Sequence, residues 1–217
     1  MAQKFPTMFT RAAPVVHCYI ERPDDKTPDG ATWKVDNKYK AKLVFGDEAD
    51  CADVREACLK LLKETFGSVL PAEDELLLPL KSGDGDKNEE FHGKTLLSAA
   101  SQFQPKVYDA KDNEVPAGVF PRGGDVVRFR VSLYPFSKAE NVKDSKTKKT
   151  TAVTVYGVSL RLAAVQIITK GAASSGFGVQ EGGYEATAAD AKVRDEASDE
   201  TPAERTTTRR TGADADF

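Results

Sequence analysis

Two segments of the chain alternate between apolar and polar residues. Within 125–136, one set of alternate positions holds Val127, Phe129, Val131 and Leu133, and the other holds Arg128, Arg130, Ser132 and Tyr134. Within 38–45, one set holds Tyr39, Ala41, Leu43 and Phe45, and the other holds Lys38, Lys40, Lys42 and Val44. A period of two is typical of a strand with one buried face. Each segment therefore predicts a half-buried β-strand with cations on its outer side.

One segment has helical periodicity instead. Apolar residues recur every three or four positions between Val54 and Phe66, which gives an amphipathic stripe. Asp50 is the predicted N-cap, and Gly67 follows the last periodic residue. This is the main helix that the pattern predicts.

The other segments before residue 171 are mostly β-like or turn-like. The alternation at 38–45 lies in a longer segment, 32–45, that is predicted to form one strand or a pair of strands. Further strands are predicted at 15–20, 104–109 and 153–168, and turns or hydrophilic loops at 22–30, 82–88 and 137–151. The fold class is therefore mainly β, a β-barrel with one main helix.

The composition changes after Gly171. Glycine is frequent up to Gly183, and beyond Tyr184 the large apolar residues are only Val193 and Phe217. Such a segment buries too little apolar surface to offset the entropy of ordering. We therefore predict a folded domain at 1–183 and a disordered acidic tail at 184–217.

Charge and hydropathy narrow the class of protein. The 217 residues carry a net charge of −3, and residues 189–217 alone hold eight acids and five bases, so the rest is neutral. Neutrality leaves nucleic acid possible, because a binding groove needs only a local positive potential. No apolar segment approaches the length of a membrane span, and the N-terminus lacks a secretory signal pattern. We expect a cytoplasmic protein.

Residues suited to catalysis or metal binding are scarce. His17 and His92 are the only histidines, and Cys18, Cys51 and Cys58 lack the spacing of a zinc site. Neither a nucleophile elbow nor a P-loop occurs. We predict that the protein is not an enzyme and uses no metal or cofactor. The three cysteines are predicted to have a structural role.

Basic and aromatic residues are interleaved on the predicted strands. Cations can follow the phosphates of a single strand, and rings can stack on its unpaired bases. The predicted phosphate contacts are Lys38, Lys40, Lys42, Arg128 and Arg130. The predicted stacking residues are Tyr134, Phe136 and Trp33. The alternative is that the cations only solvate a sheet, while Tyr134 and Phe136 close one end of a barrel.

The tail ends in acids followed by an aromatic residue, with Asp214, Asp216 and Phe217 last. One interpretation is a peptide hook, in which Phe217 enters an apolar pocket of a partner and the acids meet basic groups. A second is that the tail competes with nucleic acid for the basic groove. A third is a tail that only increases solubility.

Four stretches, 39–45, 105–109, 124–136 and 157–166, resemble the single-stranded-DNA-binding proteins of tailed bacteriophages. The resemblance implies an OB-fold, a five-stranded partly open barrel. It also implies sequence-independent binding of single-stranded DNA in phage replication and recombination, in the host cytoplasm. The tail would recruit or regulate replication enzymes. The alternative function is a β-rich virion or assembly protein that binds no nucleic acid.

Overall fold

The computed structural model describes residues 5–24, 37–86, 88–143 and 150–171. Its strands are β1 (Thr7–Phe9), β2 (Ala13–Asp24), β3 (Lys38–Phe45), β4 (Leu80–Ser82), β5 (Thr95–Ser101), β6 (Lys106–Tyr108), β7 (Val126–Lys143) and β8 (Thr150–Thr169). The α-helix of these residues is α1 (Ala52–Phe66). Single 3₁₀ turns lie at Glu48–Cys51, Gly67–Val69, Glu73–Glu75, Gly83–Gly85 and Glu89–Phe91.

Five of the strands close into a ring. Antiparallel pairs join β7 to β2, β2 to β3, β3 to β5 and β7 to β8, and a parallel pair joins β5 to β8. The strands β1, β4 and β6 add to β7, β5 and β8 respectively. The predicted fold class, mainly β with one main helix on a five-stranded OB-type barrel, is confirmed.

The core lies inside this ring. In β7 the side chains of Val127, Phe129 and Val131 are fully buried, as the alternation predicts. Helix α1 adds Val54, Cys58 and Leu62 to the same apolar cluster, so its stripe covers part of the barrel interior. Burial of such side chains stabilises the fold by about 1.5–3 kcal/mol each before entropy is counted.

The start of the helix differs from the prediction. Asp50 is not the N-cap of α1, because a 3₁₀ turn precedes the helix and Asp47 caps that turn through a 3.2 Å hydrogen bond from the Ala49 amide. The end was predicted correctly, since Gly67 takes a positive φ of 58° there.

Several loop and strand limits were also wrong. The predicted hydrophilic loop at 137–151 is largely strand, because β7 continues to Lys143 and β8 begins at Thr150. Strand pairing in this hairpin satisfies the backbone, so polar side chains on both faces are tolerated. Strand β2 likewise continues to Asp24, into the predicted turn at 22–30, and β5 was not predicted at all.

Gly157 marks the point where the β7–β8 hairpin meets the helix side of the barrel. The Leu77 amide donates to the carbonyl of Tyr156 at 2.9 Å, and the Leu77 carbonyl accepts from Val158 at 3.0 Å. A methyl group on Gly157 would come within 2.5 Å of the Leu77 oxygen. Only glycine permits this approach of the two backbones.

The boundary predicted at residue 183 and the tail lie outside the described residues, so both stay predictions. The described part of the chain contains no helix that could span a membrane.

Candidate nucleic-acid interface

The pairing of β7 with β8 collects three arginines on the outside of the barrel. Arg128 and Arg130 alternate with buried residues of β7, and Arg161 lies between the buried Leu160 and Leu162 of β8. Directly paired residues share one side of a sheet. Because Ser132 pairs with Arg161, the three guanidinium groups lie on the same side. We call this surface the arginine face; it consists of Arg128, Arg130, Arg161, Tyr134, Phe9 and Phe103.

The lysines of β3 continue this surface. Lys40 pairs with Ala100 of β5, and Ala100 pairs across the parallel seam with Arg161. Lys38, Lys40 and Lys42 therefore lie on the same outer side as the arginines, with the core residues of β3 beneath them. Lys40 forms an ion pair with Asp24 at 3.2 Å. The two predicted basic strands thus belong to one continuous surface.

Two exposed rings lie on this surface that the sequence pattern did not single out. Phe9 is 55% exposed and Phe103 is 66% exposed, high values for large apolar side chains. The guanidinium carbon of Arg128 lies 5.0 Å from the ring centroid of Phe9, and that of Arg161 lies 5.5 Å from the centroid of Phe103. These are cation–π distances, so each arginine orients a ring that still faces solvent.

The residues predicted to stack on bases do not all lie beside the arginines. Tyr134 lies on the arginine face, but the ring of Phe5 packs on it at 4.1 Å between centroids, and Arg161 donates to its hydroxyl at 3.4 Å. Phe136 lies against Gly157 beside Leu77, toward the hairpin. Trp33 lies outside the described residues, between β2 and β3. Of the two predicted stacking residues that the structure describes, it brings Tyr134 together with the arginines and places Phe136 beside Gly157.

The arginine face has an excess of positive charge. Among the described residues, none of its three guanidinium groups has a carboxylate within ion-pair distance. Arg128 donates instead to the neutral Oε1 of Gln166 at 2.6 Å, and its Nε is buried with no hydrogen-bond partner. An unsatisfied buried donor costs about 1–3 kcal/mol. Such a cost is expected where a side chain is held for binding.

Backbone contacts to β7 fix the position of Phe9. The amide of Thr10 donates to the carbonyl of Phe129 at 2.9 Å, and the buried hydroxyl of Thr10 accepts from the Phe129 amide at 3.0 Å. At the other end of β1, the Leu133 amide donates to Pro6 at 2.9 Å. These bonds place Phe9 directly beside Arg130.

Within the described part of the chain, clefts indent the arginine face and its border with β3, and three of them contain its cations. The first, of about 250 Å³, lies beside Phe9 and Arg128. The second, of about 270 Å³, lies between Lys38, Tyr134 and Arg161. The third, of about 270 Å³, lies between Phe103, Tyr134 and Arg161. Each cleft therefore combines at least one cation with at least one ring.

Two of the cysteines, Cys51 and Cys58, are unsuited to nucleophilic chemistry. Burial raises the pKa of the Cys58 thiol to about 12, and burial followed by the charge of Asp53 raises that of Cys51. Both thiols are therefore protonated at neutral pH and poor nucleophiles. Within the described residues, no group of three or more His, Cys, Asp or Glu side chains could hold a metal ion.

Sequence reasoning missed Arg161, Phe9 and Phe103. Arg161 has a local signal, since it stands between two leucines of a β-like segment and would point outward from a strand. The two phenylalanines have none, because a single apolar residue in an irregular segment is normally expected to be buried.

Comparison with known proteins gives a family match and similar solved structures. The model of the family described as "Enterobacter phage Enc34, ssDNA-binding protein" matches residues 27–196. The solved single-stranded DNA-binding protein of bacteriophage Enc34 in complex with ssDNA is 18% identical, with a TM-score of 0.51, covering 79% of this chain and 89% of its own. For gp2.5 of bacteriophage T7, a single-stranded DNA-binding protein, the identity is 18%, the TM-score 0.46 and the coverage 85% and 100%. The comparison with curated sequences gave no match.

The matched segment is more than three quarters of the chain and contains most of the barrel. The resemblance inferred from the four sequence stretches is confirmed, and the matched proteins are binding proteins rather than enzymes. The chain belongs to the family of phage single-stranded-DNA-binding proteins that is represented by the protein of phage Enc34.

Proposed function

We propose that this protein binds single-stranded DNA, whatever its sequence, across the arginine face and the adjoining lysines of β3. One observation carries the proposal: three guanidinium groups without an acidic partner among the described residues lie beside two exposed phenylalanine rings. Such cations attract phosphates, and the rings offer flat apolar surfaces to unpaired bases.

The position of this surface on the fold supports the proposal. Counted along the ring, β3 and β5 are its second and third strands, and OB-folds bind oligonucleotides on the face of those two strands. The lysine side of β3 is continuous with Arg161 through Ala100. A single strand crossing this face would meet Lys38, Lys40, Lys42, Arg128, Arg130 and Arg161.

The aromatic contacts differ in availability. Phe103 and Phe9 are the most exposed rings and are the primary stacking residues of the proposal. Tyr134 is partly covered by Phe5, so it presents less of its ring. Trp33 and Phe136 stay candidates for stacking, Trp33 in the connection between β2 and β3 and Phe136 toward the hairpin.

A direct binding measurement tests the proposal. We expect a labelled oligothymidine of about twelve nucleotides to bind, and its duplex form to bind much more weakly because paired bases cannot stack. Six phosphate contacts give a slope of log affinity against log salt of about −4, at about −0.7 per contact. Equal affinity for the two forms, or no dependence on salt, would overturn the proposal.

The biological role that we propose is support of phage DNA replication and recombination in the host cytoplasm. Membership of the family favours this role over a virion or assembly component. The two are separated by asking whether the protein copurifies with phage particles or with single-stranded replication intermediates. Recovery in particles without any oligonucleotide binding would support the virion role.

We also propose that the end of the chain, with Asp214, Asp216 and Phe217, recruits or regulates replication enzymes of the same phage. The support is chemical: acids and a terminal ring on an otherwise polar segment suit a basic pocket with an apolar floor. Removing residues 213–217 should leave DNA affinity unchanged or increased, while a purified phage polymerase that binds the full chain loses that binding. A large loss of DNA affinity would contradict this assignment.

A further inference from the structure

The first cleft of the arginine face combines polar side chains, which are held by hydrogen bonds, with aromatic residues. It lies between β1, the turn after β6 and the start of β7, and its volume is about 250 Å³. Two rings, two guanidinium groups, an amide and a carboxylate line it: Phe9, Tyr108, Arg128, Arg130, Gln166 and Asp112. Its volume and its two lining rings suit one small heterocycle.

A hydrogen-bond network holds the polar groups of this cleft. The buried Gln166 donates to Oδ1 of Asp112 at 2.6 Å and to the carbonyl of Asp109 at 3.1 Å, and it accepts from Arg128. These bonds fix the direction of the amide, the carboxylate and one guanidinium group together. Within the described part of the chain, Oδ2 of Asp112 accepts no hydrogen bond, and Arg130 is exposed without an acidic partner.

We propose that this cleft takes one base of the bound strand and adds a modest preference for guanine to binding that is otherwise independent of sequence. This inference rests on the proposed function. Guanine alone among the DNA bases presents two acceptors, O6 and N7, on one edge and donors, N1–H and the 2-amino group, on the next. The guanidinium of Arg130 matches the acceptor edge, and the carboxylate of Asp112 matches the donors. Phe9 and Tyr108 are the aromatic residues of the lining.

The other bases match less well. Adenine places an amino donor beside N7, where it meets the guanidinium group. Thymine has no exocyclic donor for the carboxylate, and cytosine lacks the O6–N7 pair. The preference remains modest because phosphate contacts and stacking elsewhere on the face do not depend on the base.

Base analogues test this inference. Four oligonucleotides are compared by fluorescence anisotropy: oligothymidine, and the same strand with every third base replaced by guanine, by hypoxanthine or by 7-deazaguanine. Spaced guanines avoid quadruplex formation. We expect the guanine strand to bind about three- to tenfold more tightly than oligothymidine. Hypoxanthine, which lacks the 2-amino group, and 7-deazaguanine, which lacks N7, should each lose most of that gain.

The variant Asp112→Asn tests the role of the carboxylate. Asp112 has a φ of 65°, a conformation that asparagine adopts readily, so the fold should be retained. If the amide oxygen keeps its bond to Gln166, the NH₂ group faces the guanine donors and the preference is lost. The matched control is Glu114→Gln, which removes the same charge from the same loop but only breaks an exposed ion pair with Lys106 at 2.9 Å.

The outcomes are distinct. Preference for guanine in the wild type and Glu114→Gln, and its loss in Asp112→Asn, supports the inference. Equal affinity for all four strands, or a preference that survives Asp112→Asn, overturns it while leaving the proposed function intact. Failure to bind any of the strands overturns the proposed function itself.

Discussion

Arginines on two sides of the barrel have opposite surroundings. On the helix side, Arg55 of α1 forms ion pairs with both Glu48 and Glu73. On the other side, Arg128 and Arg161 lie against neutral rings and amides, with no acid in ion-pair range among the described residues. The comparison shows that the overall charge of −3 says little about binding. The informative quantity is where positive charge is left uncompensated.

Removing the uncompensated charges should have the largest effect. We expect the double substitution Arg128→Ala and Arg161→Ala to lower affinity for oligothymidine about a hundredfold, since each charged contact contributes about 1.5 kcal/mol or more. The salt slope should become shallower by about 1.4 for the two contacts. Fluorescence titration at several salt concentrations measures both.

Arg55→Ala is the matched control for this variant. It removes an arginine of the helix side whose charge is already balanced, and exposed ion pairs contribute only about 0–1 kcal/mol to stability. Affinity and salt slope should therefore remain close to wild type. If Arg55→Ala weakens DNA binding as much as the double variant does, the distinction between the two sides is wrong.

The exposed ring of Phe103 provides a second test of the difference between the two sides. Phe103→Ala should weaken binding by about 1–3 kcal/mol, because stacking on a base is lost, with little change in salt slope since no charge is removed. Val69→Ala, at a similarly exposed apolar residue beyond α1, should leave binding unchanged. Equal effects of the two substitutions would contradict a stacking role for Phe103.

The close approach of the Gly157 and Leu77 backbones tests whether the stability of the fold can be changed without changing DNA affinity. Gly157→Ala introduces a methyl group within 2.6 Å of Cζ of Phe136 and 2.5 Å of the Leu77 oxygen, so we expect a loss of about 1–3 kcal/mol in the free energy of unfolding. Gly85→Ala is the control, since its methyl group would have no atom within 4 Å. Urea denaturation measures the difference, and the folded fraction should retain the DNA affinity that the arginine face provides. A loss of affinity in the folded fraction would support stacking by Phe136, whose ring the methyl group displaces.

The smallest effect concerns Asp24, the acid that pairs with Lys40. Asp24→Asn removes a negative charge from the DNA-facing side and should raise affinity by about two- to fivefold at low salt, an effect within the 0–1 kcal/mol of exposed pairs. Glu73→Gln removes the same charge from the helix side. Beyond a Debye length of about 10 Å its influence should be much weaker. Equal gains would mean that net charge alone controls affinity.

The fold was predictable where a pattern was local. Alternation over β7 and the stripe of α1 identify their buried residues, because each period is set by the geometry of one element. Strand β5 (Thr95–Ser101) was missed, since serine and alanine fill most of it and neither favours a strand. The long β7–β8 hairpin was not predicted beyond Phe136, because the segment there is hydrophilic. Strand pairing rather than burial of apolar side chains stabilises this part of the hairpin.

The candidate site was predictable only in part. The sequence separates the lysines of β3 from the arginines of β7 by some ninety positions, and they share a surface because β5 and β8 lie between them. Ion pairing of Lys40 and the packing of Phe5 on Tyr134 are likewise products of tertiary contact. Patterns within one strand show which residues point outward, and the register of pairing determines what they face.

The parallel pairing of β5 with β8, which closes the ring, is short. Only one residue pair, Ala100 with Arg161, joins β5 to β8 in that pairing and two pairs join β2 to β7, whereas β3 with β5 and β7 with β8 share long antiparallel ladders. Local opening should therefore be easiest at this seam, with fast amide hydrogen exchange along its edges. A polynucleotide that contacts Lys40 and Arg161 at once would bridge the seam, and its occupancy should slow exchange there more than anywhere else in the barrel.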